Sequence, residues 1–529
     1  SMFMGRYRGN YVGREVDTQP LDIAVRAIEP FVAVNEELSQ QFNYWKGRPQ
    51  IITKNGFCGA PLLVVHDNHV EIVGLHQLGS QEECCAVSIH QELFERAQRY
   101  FKRPIIQSGV PQLQADAAPE KVLEPIGHKS PLRWVKSGSL NKYGHIRGAR
   151  MLPRSKVKTT ILAEKIIRDR EWECTFQAPR FDWRPYNHMY NDILGGYDNV
   201  DSDILESAIS AYANDIISGL NGKSLDTLKI ISWEAALNGI DGVQYIDKMN
   251  FNSSMGFPWN KSKKYFLTED EDSSAGKKTL PAFVWKRAAE AESRYKEGIR
   301  FCPVFSGQCK DEARQAAKVA AGKIRVFTGA PVDWSLCVRR YLLTFIKAVM
   351  ENQELFEAAP GCVAQSLEWE RFREYLTQFG EDRIVAGDYG KFDKRMSAKM
   401  ILAAFEIIVR VLRAAGWSED ELKVIYGIAN DTAYPLTVVD GDLVEFFGSN
   451  PSGHPLTVII NSLVNALYMR YCYIQLNPER EATSFKEKVA LLTYGDDNTM
   501  GVHKDADWFN HTRIKEQLAM IGVEYTMAD

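Results

Sequence analysis

The sequence predicts an α+β fold in which a β-rich N-terminal region precedes a longer, helix-rich region. Before about residue 90, short apolar runs such as 61–65 and 70–75 are bounded by Gly, Asn or Asp, as strands are. Beyond residue 120 the apolar spacing favours helices, and the few strand-like runs lie beside Asp residues. Hydrophobic residues make up 45% and charged residues 25% of the 529 residues, which excludes disorder, collagen and coiled coil as dominant states.

A stretch rich in Pro, Gly and small residues at 104–119 predicts a boundary between two domains, 1–107 and 108–529. A strand at 51–53 and a short helix at 89–101 are expected to complete the first domain. The net charge of −4 means that any surface for nucleic acid must be local. Nine cysteines without a Cys-x-x-Cys pair argue against a disulfide framework or structural zinc. No apolar run predicts a transmembrane segment.

The second domain is predicted to be built mainly from helices around a few strands. An apolar run at 383–388 ends in Asp388. Runs at 489–494 and 499–502 flank Gly495-Asp496-Asp497-Asn498, which predicts a β-hairpin because these residues tolerate the positive φ of tight turns. The candidate helices are 201–219, 284–297, 334–352, 366–379, 397–415 and 455–475.

Carboxylates recur where the predicted strands end. Asp388 and Asp393 follow one strand, and Asp496 and Asp497 lie at the hairpin tip. Two strand-end carboxylates can share the pair of Mg²⁺ ions that phosphoryl transfer uses, with phosphates and water filling the remaining positions. Alone, an Asp-Asp pair in a hairpin is usually only a turn, and Ser452-Gly453 before a helix is usually only an N-cap. Together, in this order, they indicate a nucleotidyl-transfer site.

These motifs make residues 108–529 resemble the RNA-dependent RNA polymerase of picorna-like positive-strand RNA viruses (Picornavirales). The resemblance implies the fingers and palm of a right-hand polymerase, helix-rich with a small antiparallel palm sheet. It also implies a helix at 505–520 and a last strand at 522–527 after the hairpin. It implies Asp388 and Asp496 as the main catalytic metal ligands and Asp497 as a secondary one. Two Mg²⁺ ions are the expected cofactors, with Mn²⁺ able to replace them. The nucleotide-binding residues implied by the two palm motifs are Asp393, Ser452, Gly453, Thr457 and Asn461.

By the same resemblance, Asp393 and Asn461 would read the ribose 2′-OH of the incoming nucleotide. A carboxylate accepts a hydrogen bond from a hydroxyl, and an amide can hold either group in place. A site built to bond a hydroxyl rejects the deoxy analogue. That analogue lacks the hydroxyl, so the polar atoms of the site are left unpaired. Asp393, and Gly495 in the hairpin, therefore disfavour a reverse transcriptase.

Three further segments either carry local positive charge or form a loop that could approach an RNA backbone closely. The residues 310–325 include five cations, which alone could be a solvated face, but the family's spacing implies that they line the nucleotide channel and neutralise the triphosphate. The loop 252–259 resembles the family's template loop, with Ser254 and Gly256 expected at the template, although a plain Gly-Pro turn is the alternative. A second basic cluster has two possible interpretations: it lines the template channel, or it is a solvated loop. The five channel cations are Lys310, Arg314, Lys318, Lys323 and Arg325, and the second cluster is Arg147, Arg150, Arg154, Lys156 and Lys158.

The N-terminal domain resembles part of the chymotrypsin-like cysteine protease of the same viruses. Gly56-Phe57-Cys58-Gly59 matches the nucleophile loop, and His76, after Gly74-Leu75, matches the pocket that reads glutamine. Either residue could instead be a core residue. Residues 1–57 contain no His, so we expect a partial β-barrel region that lacks its general base and is inactive. The predicted cleavage site is Gln107–Ser108, with Gln114–Ala115 as a second candidate.

The predicted function is template-directed RNA synthesis that replicates a viral RNA genome from ribonucleoside triphosphates. The alternative is a protease–polymerase precursor that binds RNA and partners without turnover, because the chain is expected to stop before the family's thumb. Expected partners are the RNA template, the nascent strand, the triphosphates, a protein primer and other viral replication proteins. The expected location is the host cytoplasm, at membrane-associated replication complexes.

Overall fold

The computed structural model divides into two compact units, Ser1–Ile105 and Ile106–Asp529. The residues that the structure describes are 2–4, 23–35, 40–49, 61–66, 69–79, 83–88, 123–128, 130–135, 140–149, 154–171, 174–194, 199–220, 222–270, 276–363 and 365–527.

The first unit is a closed barrel of antiparallel strands in the order β1-β2-β3-β6-β5-β4, completed by pairing of β1 with β4. Its predicted strands at 61–65 and 70–75 are confirmed, whereas the expected strand at 51–53 and helix at 89–101 lie outside the described residues. The Val- and Leu-rich run of β4 suits a pleated, half-buried surface. The strands are β1 (Met2–Met4), β2 (Ile23–Asn35), β3 (Gln40–Pro49), β4 (Pro61–His66), β5 (His69–Gly79) and β6 (Cys84–Ser88).

The second unit is helix-rich, as predicted. Its helices are α1 (Ile161–Arg170), α2 (Arg184–Leu194), α3 (Ser202–Gly219), α4 (Gly222–Asp226), α5 (Trp233–Asn238), α6 (Ala282–Lys296), α7 (Ala316–Ala320), α8 (Val332–Glu351), α9 (Gln353–Phe356), α10 (Glu368–Thr377), α11 (Phe392–Arg395), α12 (Ala398–Ala414), α13 (Glu419–Ala433), α14 (Thr457–Leu476), α15 (Phe485–Lys488) and α16 (His511–Met520), with 3₁₀ turns at Pro131–Trp134, Lys263–Tyr265 and Lys504–Ala506. Its strands are β7 (Leu140–His145), β8 (Phe176–Gln177), β9 (Thr268–Glu269), β10 (Lys278–Thr279), β11 (Val304–Cys309), β12 (Arg314–Gln315), β13 (Val326–Gly329), β14 (Ile384–Tyr389), β15 (Leu436–Val439), β16 (Asp442–Phe446), β17 (Val489–Tyr494), β18 (Asp497–Val502) and β19 (Tyr525–Met527).

A four-stranded antiparallel sheet, in the order β17-β18-β14-β19, positions the acidic residues. Strand β17 packs on α14, while β14 and β19 pack on α16. Helix α14 is apolar on nearly every side, and a helix of that kind must be buried. With α12 and α13 it forms the largest hydrophobic core of the described residues. Helix α13 begins at a capping box in which Ser418 and Glu421 bond each other's backbone.

A five-stranded sheet, in the order β13-β11-β15-β16-β7, was not predicted. Its strands are short, and partners such as β7 and β16 are about 300 residues apart in sequence, so local pattern carries little signal for them. This sheet matters for the site because β16 leads into the loop before α14 and β13 is bonded to that loop.

The predicted helices 201–219, 284–297, 334–352, 366–379, 397–415 and 455–475 are all present, with ends shifted by a few residues. The hairpin and the strand before it are also confirmed. The last predicted helix is shorter than expected, because a 3₁₀ turn occupies its start. Among the described helices of ten or more residues, α1, α2 and α13 were not predicted, and the short helices were not predicted either.

Candidate active site

The three candidate metal ligands meet where β14 ends beside the hairpin of β17 and β18. Gly387 pairs with Asn498, so continuing the antiparallel register by one residue places Asp388 opposite Asp497. The hairpin turn is Gly495-Asp496, between the paired Tyr494 and Asp497. Gly495 has φ +66°, as the first central residue of a type II′ turn requires. Asp388, Asp496 and Asp497 are all exposed at this edge.

The acidic side chains are close enough to influence one another's ionisation. Burial, and then the charges of Asp496 and Asp388, raise the pKa of Asp497 above its ordinary value. Burial also raises the pKa of Asp393; Lys394 opposes this rise and Asp496 adds to it. Asp496 therefore acts on its hairpin neighbour Asp497 and on Asp393, which follows β14. Like charges gathered in this way favour a bound cation.

The donor chemistry of this cluster fits a hard divalent cation. Within the described ranges, no three His, Cys, Asp or Glu side chains already converge on one point that could hold a metal. Mg²⁺ does not need such a cage, because it is commonly held by one or two carboxylates and completed by substrate phosphates and water. Asp388, Asp496 and Asp497 are the carboxylates at this edge that could hold it.

Side chains of helix α14 hold the turn that carries the aspartates. The Nδ2 group of Asn465 donates to the carbonyl oxygens of Gly495 at 3.1 Å, Asp496 at 3.0 Å and Asp497 at 3.2 Å. Ser462 Oγ accepts from the N–H of Gly495 at 2.9 Å. These buried contacts hold the turn in place. The turn was predicted from the sequence, but the contacts were not.

The other face of the Asn465 amide is satisfied as well. Its Oδ1 accepts from the Tyr389 hydroxyl and from Asn498 Nδ2, both at 3.0 Å. Tyr525 in β19 in turn donates to Asn498 Oδ1 at 2.8 Å. One network thus joins α14 to three strands of the acidic sheet. The sequence does carry a signal for this network, since Thr457, Asn461 and Asn465 recur every four residues along one face of a mainly apolar helix.

The loop before α14 is bonded to strand β13. Ser452 Oγ accepts from the N–H of Thr328 at 3.1 Å, and the N–H of Ser452 donates to Thr328 Oγ1 at 3.0 Å. At Gly453 a Cβ atom would lie 2.7 Å from the Thr328 carbonyl oxygen, so a larger residue would force the two segments apart. Thr457 closes the loop by donating to the Pro451 carbonyl oxygen at 2.7 Å.

Asn461 and Asp393 are linked through Asn450, a residue that the sequence did not single out. Asn450 Nδ2 donates to Asn461 Oδ1 at 2.7 Å, and the backbone N–H of Asn450 donates to the Asp393 carbonyl oxygen at 2.9 Å. His454 contacts Asn450 Oδ1 through its Nε2 at 3.0 Å. The structure thereby joins the two residues that were expected to read the sugar.

The five predicted channel cations lie on the segment 310–325, which connects β11 to β13 and is called the basic excursion below. The N–H of Lys310 donates to the Arg325 carbonyl oxygen at 2.8 Å, which closes the base of the excursion. Arg314 and Arg325 each lie 3.6 Å from a carboxylate oxygen of Glu312. Lys318 lies on α7, and its carbonyl oxygen accepts from the N–H of Lys323 at 2.8 Å.

This excursion is connected directly to the loop before α14. Arg325 precedes Thr328, the partner of Ser452, by three residues, or roughly 10 Å of extended chain. Asp311, next to Lys310, contacts the second basic cluster: it accepts from Ser155 Oγ at 2.5 Å and from the N–H of Lys156 at 2.8 Å. Those contacts hold the pKa of Asp311 below its ordinary value. Arg147, Arg154, Lys156 and Lys158 are described, whereas Arg150 lies outside the described residues.

The expected template residues line a large cavity. Ser254 and Gly256 form part of the wall of a space of about 850 Å³, which Gly453 also borders. Two cations face the same space, Lys263 and Arg339. Lys263 Nζ donates to Ser253 Oγ and to the Ser254 carbonyl oxygen, both at 2.7 Å. Arg339 was missed by sequence reasoning because nothing in its helix distinguishes it from a surface arginine.

The protease assignment of the first unit stays a prediction. His76 is described, on β5 opposite Ala86 and only 4% exposed. Cys58, Gln107, Ser108, Gln114 and Ala115 lie outside the described residues. The predicted domain division at 107 and 108 also stays a prediction.

The fold and site define a right-hand nucleic-acid polymerase, in which an antiparallel palm sheet presents strand-end aspartates beside a basic fingers segment. The family described as viral RNA-dependent RNA polymerase matches residues 177–529, and the chain belongs to this family. The expected fold class is confirmed, and so is the expected membership of the RNA-dependent RNA polymerase family.

Known relatives are polyproteins of picorna-like viruses. The chain is 28% identical over 525 residues to the replicase polyprotein of Drosophila C virus (strain EB), covering 90% of this chain and 28% of that polyprotein. It is 29% identical over 337 residues to the RNA1 polyprotein of Cowpea mosaic virus (strain SB), covering 60% of this chain and 18% of the relative. The chain thus spans 28% or less of the length of these two relatives.

A solved structure shares the fold. The Sicinivirus 3Dpol RNA dependent RNA polymerase superposes with a TM-score of 0.56 at 18% identity, covering 74% of this chain and 77% of that one. The family uses divalent metal ions. No described helix is long and apolar enough to cross a membrane.

Proposed function

We propose that this chain extends RNA by two-metal nucleotidyl transfer, with Asp388 and Asp496 as the main ligands of Mg²⁺ and Asp497 as a secondary ligand. The observation that carries the proposal is the meeting of these three carboxylates at one sheet edge. When bound, the two ions would stabilise the attacking 3′ oxygen and the leaving pyrophosphate oxygen. Mn²⁺ would satisfy the same oxygen donors.

Asp393 and Asn461 select the sugar in this proposal. The Asp393 carboxylate accepts from the 2′-OH, and the Asn461 amide holds the hydroxyl oxygen. A 2′-deoxynucleotide leaves both groups unpaired, so the site discriminates against it. Ser452, Gly453 and Thr457 fix the loop that precedes Asn461.

In this proposal the cations of the fingers segment bind the triphosphate. Lys310, Arg314, Lys318, Lys323 and Arg325 lie on the excursion that is bonded to the Ser452 loop. Their cations neutralise the triphosphate and the pyrophosphate leaving group. The 850 Å³ cavity bordered by Ser254 and Gly256 takes the template strand, and Lys263 and Arg339 offer positive charge to its phosphates.

The partners in this proposal are the RNA template, the nascent strand and ribonucleoside triphosphates, with a protein primer and other viral replication proteins as further partners. Membrane-associated replication complexes in the host cytoplasm are the proposed location. The replicase polyprotein relatives support a role in genome replication.

The test is nucleotide incorporation on a primed RNA template with Mg²⁺. Asp388→Asn and Asp496→Asn should each lower incorporation by about 10²-fold or more, because the metal loses a charged ligand worth several kcal/mol. Affinity for RNA should stay unchanged. Asp505→Asn, beyond the far end of β18, is the matched control and should retain full activity.

Retained Mg²⁺-dependent incorporation in both variants would overturn the ligand assignment. If the unaltered chain binds RNA but incorporates nothing with either Mg²⁺ or Mn²⁺, the precursor alternative is favoured instead.

A further inference from the structure

Asn450 occupies a bridging position between the two residues that are proposed to read the sugar. It is 2% exposed and follows β16, just before the loop of Ser452 and Gly453. Its backbone N–H bonds the Asp393 carbonyl oxygen, and its side chain bonds Asn461 Oδ1. Nothing in the family match or the motifs assigns a role to this residue.

We propose that Asn450, oriented by His454, is a positioning residue for ribose selection because it fixes which end of the Asn461 amide faces the nucleotide. This inference rests on the proposed roles of Asp393 and Asn461. It adds two residues, neither of which is proposed to contact the sugar, to the part of the site that distinguishes ribonucleotides from deoxynucleotides.

The direction of the hydrogen bonds begins at the backbone. The N–H of Leu456 donates to His454 Nδ1 at 3.3 Å, so this ring nitrogen must be an acceptor. Burial lowers the pKa of His454 to about 3, so the ring is neutral at physiological pH. A neutral imidazole with an accepting Nδ1 carries its proton on Nε2. His454 therefore donates from Nε2 to its partner.

That partner is Asn450 Oδ1, at 3.0 Å. Since the oxygen of Asn450 faces His454, its Nδ2 group must face the other way, where it donates to Asn461 Oδ1 at 2.7 Å. The carbonyl end of the Asn461 amide is thereby occupied. The amide nitrogen of Asn461 is the end that stays available to a ligand.

This orientation matches the chemistry of a 2′-hydroxyl. A hydroxyl can donate to the Asp393 carboxylate and at the same time accept from an amide N–H. If the Asn461 amide were reversed, two acceptors would face one hydroxyl proton, and the hydroxyl oxygen would lose its donor. The His454–Asn450 relay thus makes the pair of readers complementary to ribose.

The same residue also sets the spacing of the two readers. The bond from the Asn450 backbone to the Asp393 carbonyl oxygen, at 2.9 Å, is flanked by one from Ser449 to the Met396 carbonyl oxygen at 2.8 Å. Asn461 and His454 are 8% and 9% exposed, so the relay is shielded from water that could substitute for its bonds.

The experiment measures kcat/KM for a ribonucleotide and for its 2′-deoxy analogue in the full chain. Asn450→Asp keeps the shape and the acceptor for His454, but it turns an oxygen toward Asn461 Oδ1. Asn461 should then reverse its amide, and the ribose-to-deoxyribose ratio should fall by about tenfold, the effect of one lost hydrogen bond. The ratio cancels any general effect of the added charge, because both substrates carry the same triphosphate.

Three further variants sharpen the result. Asn477→Asp makes the same change at a buried asparagine beyond the other end of α14, and should leave the ratio unchanged. His454→Leu removes the donor to Asn450 and should lower the ratio, whereas His454→Gln, which retains an N–H donor, should restore most of it. Asp393→Ala tests the reader itself and should lower the ratio.

The outcomes separate the two levels of inference. A lowered ratio in Asp393→Ala with an unchanged ratio in Asn450→Asp and His454→Leu overturns the positioning role while the proposed function stands. An unchanged ratio in Asp393→Ala removes the sugar-reading role, and this inference falls with it. A ratio that falls equally in Asn477→Asp would show a nonspecific effect and would also overturn it.

Discussion

A single side-chain amide, that of Asn465, holds three consecutive carbonyl oxygens of the aspartate-bearing turn. Strand-end aspartates can bind a metal pair only if the turn keeps them in place, since misplacement of reacting groups by about 1 Å can cost 10²-fold in rate. Asn465 lies one helical turn after Asn461 on α14. One helix therefore supports both the proposed metal ligands and the proposed sugar readers.

We predict that Asn465→Asp impairs catalysis by loosening this turn. The variant places a carboxylate oxygen against carbonyl oxygens that now accept N–H bonds, so the unsatisfied groups should destabilise the fold by about 1–3 kcal/mol. We expect kcat for incorporation to fall while KM for the nucleotide changes little. Asn477→Asp serves as the control, and an unchanged kcat in Asn465→Asp would contradict the positioning role of the amide.

Lys263 places a cation with a lowered pKa at the cavity that Ser254 and Gly256 border. Burial, and then the charge of Arg339, lower the pKa of Lys263 to about 8. In the folded state this depressed pKa means that the charged form is disfavoured, so Lys263 keeps its charge below about pH 8 and loses it as the pH rises further. The cost to stability from burying the cation is present at lower pH and is relieved above that value.

We therefore predict that affinity for single-stranded template RNA decreases between about pH 7 and pH 9, because a cation facing the phosphates is lost. Lys263→Met should abolish this dependence and reduce the salt slope of binding by about one. Lys264→Met, at the exposed neighbouring lysine, should retain the pH dependence. A flat pH profile for the unaltered chain would rule out Lys263 as a contributor.

At the scale of elements, a buried ionic cluster joins α13 to the five-stranded sheet. Arg300 donates at 2.8 Å both to Asp431 on α13 and to Glu445 on β16. Tyr295 also donates to Asp431, at 2.5 Å. Because β16 leads into Asn450, the cluster connects the core to the loop that positions the sugar readers.

Removing the cation should be far more damaging than removing an exposed one. Arg300→Met leaves two buried carboxylates without a counter-charge, which we expect to cost about 3–5 kcal/mol. Calorimetry should show a lower melting temperature for the larger unit. Lys423→Met breaks the exposed pair with Asp420 on the same helix and should leave the melting temperature unchanged. Equal melting of the two variants would contradict this account.

The elements that sequence predicted are those with a strong local signal. Helix α14 follows from a long apolar run, and the Gly495 hairpin follows from its turn residues. The sheet of β13, β11, β15, β16 and β7 did not follow, because its strands owe their conformation to distant partners. Asn450 and His454 were missed for the same reason, since a polar loop residue acquires its role only when tertiary packing buries it.

At the scale of the whole molecule, all residues of the proposed active site lie in the second unit. The acidic sheet, helix α14, the basic excursion and the template cavity belong to Ile106–Asp529. The barrel unit contains its own closed strand pairing. The proposed metal ligands and the relay of His454 and Asn450 are residues of the second unit.

We predict that ribonucleotide incorporation does not require the barrel unit. Residues 106–529 alone should incorporate ribonucleotides with a kcat within about twofold of the whole chain, because each group that orients the substrate is retained. The ribose-to-deoxyribose ratio should also be preserved, since Asp393, Asn450 and Asn461 keep their partners. Asp496→Asn in each form supplies the inactive baseline. A loss of more than about tenfold in kcat, with RNA affinity and melting temperature unchanged, would show that the barrel contributes to catalysis directly.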